Sequence, residues 1–253
     1  MVMEHGAHGG TKHLTFPGDT AEGEVPDKSN MKKVALLIDG GWFTKVLRKE
    51  LSETVSNGHA RRPTVTAEVV RKNALLALNP EEEEPWRIFY YDAYPYDGMV
   101  TNPVDGKSTD FGTSPTNAYA TKLFKELGQM DLVALRRGVL KPRGWLITES
   151  FVRKALAAAQ EGSAVPGLEP EDVTFALEQK GVDIRVGLDV ATLALKRLVD
   201  RILIFSGDTD IVPAMKMARR EGLQVAVVEV GGTRLSGELV EDADFLRHIE
   251  PVM

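Results

Sequence analysis

The chain has 253 residues, of which 43% are hydrophobic, with a formal net charge of −6 and no cysteine. That length and apolar content suit one large α/β core in a single embellished domain. Disulfides, zinc–thiolate centres and thiol nucleophiles are excluded, and an acidic chain has no global field to gather nucleic acid, so any such binding needs a local basic strip.

Residues 1–31 mix Gly, His, Thr and charge with isolated apolar residues and read as a flexible tail; His5, His8 and His13 belong to it as solvated residues. The start lacks the basic and apolar regions of a secretory signal, and no apolar run approaches the ~20 residues of a membrane span. The expectation is a soluble, cytoplasmic protein with no membrane partner. A single domain over 32–253 follows the tail. "KKVALLIDG" (32–40) is apolar almost throughout and bounded by glycine, as a parallel strand buried on both faces would be. Helices are predicted over 42–54 and 66–78, the second capped by Thr66. Glu81–Glu84 read as a surface turn and "WRIFYYDA" (86–93) as a strand ending on Asp92.

Residues 94–115, full of Pro, Gly, Asp and Ser, form a long loop of the kind that is functional or mobile. A helix near 116–128, a strand over 131–138, a hairpin over 139–147 and a helix over 150–160 follow. A Gly/Pro/acidic connection over 161–172 then leads to a helix begun near Val186. "DRILIFSG" (200–207) is a strand, 211–221 a helix and 223–230 a strand. A weaker helix over 234–241 and a short "ADFLRHI" close the chain. Strands alternating with helices imply a mainly parallel sheet in a three-layer α/β domain.

In such sheets ligands bind beyond the carboxyl ends of the strands. Asp39 ends one strand, and Asp208 and Asp210 follow another. If those strands are neighbours the three carboxylates converge, and Asp189 can approach from a helix beside them, with Asp183 six residues upstream. Clustered carboxylates repel and need protons or a cation. A donor set of oxygens without His or Cys selects Mg2+ or Mn2+. Such ions support hydrolysis of a phosphodiester without a nucleophilic side chain. Each acid also has a plainer role: Asp210 as a helix N-cap, Asp39 as a turn former, Asp189 as a solvated helix residue. With His59 and His248 the only histidines outside the tail, and no phosphate loop or dinucleotide fingerprint, other chemistries fit less well. An aspartyl phosphatase would want a second Asp two positions after Asp39, where Gly41 stands.

"LLIDGGWFTKVL", "QKGVDIRVGLDVATLAL" and "ILIFSGDTDIVPAMKMARREGLQVAVV", with "RIFYYDAYPYDG" and "VALRRGVL", resemble the NYN domain of the PIN-like nuclease superfamily, including its LabA-like group. The resemblance spans about 32–248. It implies a Rossmann-like, PIN-like fold and a Mg2+-dependent ribonuclease site, with Asp39, Asp189, Asp208 and Asp210 as catalytic, metal-binding acids and Asp183 close by. Many relatives carry Asn where this chain has Trp42, which leaves substrate positioning open; Trp42 is either core or a stacking surface for a base. Arg136, Arg137, Lys141 and Arg143 form the densest basic stretch, and Lys180 and Arg185 flank Asp183, so these are the candidate RNA contacts, each also readable as ordinary surface charge. Tyr94 and Tyr96 are candidates to meet an unpaired base. The leading expectation is a metal-dependent endoribonuclease acting on single-stranded or structured RNA, able to form a homo-oligomer. The alternative is a non-catalytic NYN-fold module that binds RNA or protein.

Overall fold

Val34 to Ile38 are each at most 2% exposed. Only a strand covered on both faces calls for such a run, and β1 (Lys32–Asp39) is the middle strand of a seven-stranded sheet. The computed structural model describes residues 31–53 and 63–253; the expected tail, its histidines and His59 lie outside the described residues. After β1 come α1 (Gly40–Glu53), α2 (Ala67–Leu75), β2 (Glu83–Tyr94), β3 (Met99–Thr101), β4 (Ser108–Asp110), α3 (Pro115–Leu127) and β5 (Val133–Ile147). There follow α4 (Glu149–Gln160), β6 (Val173–Lys180), α5 (Val182–Leu195), β7 (Arg201–Phe205), α6 (Val212–Arg220), β8 (Gln224–Val230), α7 (Gly237–Glu241) and β9 (Phe245–Ile249).

The strand order is β6-β5-β2-β1-β7-β8-β9, with every pairing parallel except β5 with β6. Alternate side chains of the central strands feed two cores. Leu36, Ile38, Tyr90 and Phe205 pack under α1, α2 and α3, while Leu37, Phe89, Tyr91 and Ile204 pack under α5, α6 and α7. This is the three-layer, mainly parallel α/β domain expected from sequence. Thr66 does cap α2, its side-chain oxygen accepting the amide of Val69 at 3.3 Å.

Four expectations are corrected. Residues 139–147 are not a hairpin: β5 runs on through them, its register shifting between Pro142 and Gly144, where φ is +92°. Its partner there is β6, a strand whose mostly half-buried residues give no clear alternation to read. The helix expected near Val186 begins at Val182, which puts Asp183 in its first turn. The 94–115 segment contains the β3–β4 hairpin and is held down by aromatic contacts, Tyr96 and Phe111 each lying within 6 Å of Phe175.

The fourth concerns Glu83, which is no surface turn residue. It is 2% exposed and begins β2, where Arg201 of β7 and Arg247 of β9 both reach its carboxylate. The two guanidiniums also sit 4.4 and 5.1 Å from the ring centroid of Phe245. One carboxylate therefore ties together three strands, β2 and β7 at their first residues and β9 at its middle, away from the edge that carries Asp39. Removing one partner of a buried pair strands the other charge. Glu83→Gln is expected to lower the unfolding free energy by about 3–5 kcal/mol in urea denaturation, with no change in the acids at the far edge.

Candidate acidic site

β1 is flanked by β2 on one side and β7 on the other, and the chain builds outward from it in both directions. That is a topological switch point, where the diverging connections leave a crevice at the carboxyl ends of the strands. Asp39 is the last residue of β1, and its Oδ1 accepts the amide of Trp42 at 3.1 Å, capping the first turn of α1. Opposite, β7 ends at Phe205 and the buried Ser206 follows. Ser206 Oγ accepts the amide of Asp208 at 3.1 Å, and Asp208 Oδ1 accepts the amide of Asp210 at 3.0 Å. The cap of this turn is therefore Asp208 and not Asp210, contrary to the expectation from sequence. The short 3-10 turn at Thr209–Ile211 intervenes before α6, so the capping residue is moved back by two.

Asp39, Asp183, Asp208 and Asp210 line one cleft of about 320 Å3 between α5 and α6, with Ser206 and Gln179. Asp189 does not join them. At ~100° per residue, six residues carry a helical side chain about 120° away from its starting face. Asp189 accordingly turns to β5, where Arg136 Nε and Nη2 donate to its two oxygens at 2.6 and 3.2 Å, and Tyr91 Oη donates to Oδ2 at 2.9 Å. That carboxylate already has a cation and a hydroxyl.

One further acid stands at the same edge. Asp92, near the end of β2, is half-buried and its Oδ1 accepts the amide of Ala93 at 2.7 Å. Burial pushes its carboxyl up to about 6, and the charge of Asp39 adds to the effect. Asp39 is likewise raised, by burial first and then by Asp208, against the opposing pull of the Trp42 amide. Beneath them lies Tyr90, whose hydroxyl is buried without a hydrogen-bond partner. Its ring occupies the space beside Gly40, where a Cβ would come within 2.4 Å of it, so only glycine fits. The sequence did show Asp92 ending a strand; what it withheld was that this strand is the immediate neighbour of β1.

The expected RNA contacts are distributed unevenly. Arg136 is engaged by Asp189, Arg143 and Lys180 both pair with Glu178, and Arg185 donates to the Gly181 carbonyl. Arg137 lies over the ring of Tyr94, 4.9 Å from its centroid, and Lys141 is exposed. Trp42 is half-buried against the core, with its indole nitrogen beside Gly207 at the β7 turn. Tyr96 belongs to the aromatic cluster that holds the 94–115 segment. His248 is exposed and faces Glu250.

Among the described residues no set of three or more acidic or histidine side chains is already gathered as metal ligands. The donor chemistry nonetheless suits a hard cation: the cleft offers carboxylate oxygens and a hydroxyl without His or Cys. The Asp39 and Asp92 carboxyls are raised by burial first, and the nearby carboxylates, Asp208 for Asp39 and Asp39 for Asp92, add to the shift.

A family model described as the NYN domain matches residues 119–250, which is just over half of the chain. The match begins after β2, so Asp39 and Asp92 precede it, whereas Asp183, Asp208 and Asp210 fall inside. Among solved structures, the crystal structure of a Vibrio parahaemolyticus protein of unknown function aligns at 16% identity. It covers 88% of this chain and 96% of that one, with a TM-score of 0.43. No curated protein gives a significant match. Among the described residues no helix is long and apolar enough to cross a membrane.

The raised Asp92 carboxyl makes a pH-dependent stability claim. Its folded value, about 6, exceeds the ordinary 3.8, so its protonated form favours folding. The contribution is present in full below pH 4 and is lost as pH rises towards and through 6. In metal-free buffer Asp92→Asn should therefore be the more stable protein at pH 7–8, by on the order of 3 kcal/mol, and should match wild type near pH 4. Urea denaturation across that range measures it.

Proposed function

The chain belongs to the NYN domain family, and from that premise we propose that it is a cytoplasmic endoribonuclease that hydrolyses RNA with Mg2+ or Mn2+ held in its acidic cleft. The observation that carries this reading is the convergence of Asp39, Asp183, Asp208 and Asp210 in one crevice at the switch point of the sheet. Asp39 and Asp208 would hold the cation from the ends of neighbouring strands, Asp183 and Asp210 would complete the wall, and Asp92 would add charge from β2. When bound, the cation activates a water and stabilises the leaving oxygen of the phosphodiester.

The remaining work falls to the chain itself. The Trp42 amide fixes Asp39 Oδ1, and the Asp210 amide fixes Asp208 Oδ1, so each carboxylate enters the crevice with its other oxygen free of those bonds. Ser206 holds the backbone of the Asp208 turn in place. Of the expected basic contacts, Arg137 and Lys141, both on β5, pair with no carboxylate among the described residues and would meet phosphates.

The alternative, a non-catalytic module that binds RNA or protein, is favoured by one observation: Asp189, an acid the family resemblance assigns to the site, is already neutralised by Arg136. Cleavage of single-stranded and structured RNA with Mg2+ or Mn2+ separates the two readings. Asp39→Asn and Asp208→Asn should each lose on the order of 100-fold or more in kcat/KM, as removal of a key electrostatic group does. Asn keeps the capping hydrogen bond, so the fold is retained. Asp189→Asn should lose about 1–3 kcal/mol of stability with its charged hydrogen bonds. No cleavage with either metal, together with RNA retention that survives Asp39→Asn, would establish the binding module instead.

A further inference from the structure

The cleft extends beyond its carboxylates. It continues between α5 and α6 as a slot with largely apolar walls, formed by Val186, Ala191, Ile211, Pro213 and Met217. Phosphodiester hydrolysis on acids and a cation has no use for such walls, and packing ordinarily closes an apolar recess. Gly187, in the middle of α5, lines the same slot. Mid-helix glycine costs roughly 0.5–1 kcal/mol against alanine. A Cβ there would meet nothing within 4 Å, so neither a close backbone approach nor an unusual φ demands glycine. Its one visible effect is to keep the slot open.

We infer that this slot is a nucleobase subsite, which receives the base of the nucleotide next to the scissile phosphate while the phosphate lies over the acids. The inference rests on the ribonuclease reading of the neighbouring acids and names the form of RNA they act on. The group tethered beside a phosphate in RNA is a ribose carrying a flat, neutral, apolar-faced base with polar edges, and the slot offers apolar walls to its faces and a polar side chain at its border to its edge. Acids and slot together enclose about 320 Å3, at the small end of ligand pockets, so the slot has room for about one base beside the phosphate. The amide of Gln179 at its border makes no hydrogen bond among the described residues and offers both a donor and an acceptor to a base edge. The ring of Tyr91 forms part of the wall and is pinned through its hydroxyl by Asp189, which Arg136 holds in turn. Asp189 thereby acts as a positioning residue for the slot. A paired and stacked base cannot enter such a recess, so the substrate is RNA with an unpaired nucleotide at the cut.

Methyl-resolved NMR of Ile211 and Met217 tests this, with adenosine, guanosine, cytidine, uridine and plain ribose as separate probes. Nucleosides carry no phosphate, so the readout is independent of the metal and of catalysis. Wild type should show saturable shifts with at least one nucleoside and none with ribose. Gly187→Leu, which fills the slot, should weaken that binding at least tenfold; Gly187→Ala, which favours the helix, secures the comparison if the larger residue disturbs folding and should give a smaller loss in the same direction. In cleavage, Gly187→Leu should cut intact single-stranded RNA at least tenfold more slowly than wild type, yet cut an oligomer with an abasic residue at the slot position at the wild-type rate. Absence of nucleoside shifts up to the solubility limit, equal shifts with ribose, or unchanged nucleoside binding by both variants would overturn the subsite even if RNA is cut. Nucleoside binding without cleavage would sustain the subsite and count against the ribonuclease reading.

Discussion

The site depends on β1 having a parallel neighbour on each side whose connections diverge. β2 and β5 extend the sheet one way, β7, β8 and β9 the other, and the two sets of helices cover opposite faces. No helix can roof the carboxyl end of β1 under that connectivity, so the edge must be finished by side chains and turns. The chain finishes it with acids. Asp39, Asp92 and the Asp208 turn close three adjacent strands, and each carboxylate accepts a backbone amide within a few residues of itself.

Those local hydrogen bonds explain how mutually repelling groups can be crowded together in an otherwise stable sheet. Each fixes one oxygen and satisfies a backbone donor that a turn or helix start would leave free. They do not offset the cost of burying these groups, and the Asp39 and Asp92 carboxyls stay raised, by burial first and by the neighbouring carboxylate second. The crowding extends below the surface, where the Tyr90 hydroxyl lies buried without a partner, near both carboxyls and pressed against Gly40. Stability is supplied elsewhere: the apolar run of β1, and the Glu83 carboxylate binding two arginines at the opposite edge. Strain is concentrated at one end of the sheet and the strongest ties at the other, as expected of a fold built around a functional edge.

The architecture was legible because its signals are local and strong. Continuous burial of Val34–Ile38 needs a central parallel strand, and the strand–helix alternation after Gly181 needs crossovers. Asp39 and Asp208 could be placed at one edge from that pattern alone. What stayed hidden required knowledge of partners. β6 is an edge strand, and its half-buried residues have neither period clearly. Glu83 looks like one of four equivalent surface glutamates until Arg201 and Arg247 are brought to it from more than a hundred residues away. Asp92 was visible as a strand end, but the order of strands decides whether its neighbour is Asp39.

The division between Asp183 and Asp189 shows how far a boundary error travels. A helix begun near Val186 places Asp183 outside the helix and leaves Asp189 as its natural contribution to the site. The true start at Val182 puts Asp183 in the first turn, on the face that also carries Val186, Gly187 and Ala191 into the cleft. Helical geometry then turns Asp189 away, towards the strand that supplies Arg136. Lys180 and Gly181 end the preceding edge strand and turn the chain, Gly181 with φ +79°, so α5 must start at once. The consequence is chemical as well as geometric. One acid of the helix is left exposed at the mouth of the crevice, and the other is bound to a guanidinium and a tyrosine hydroxyl. Two residues of one type, six positions apart, are thus given separate work: Asp183 as an exposed acid at the cleft, and Asp189 as the fixed end of a pair that holds the Tyr91 wall.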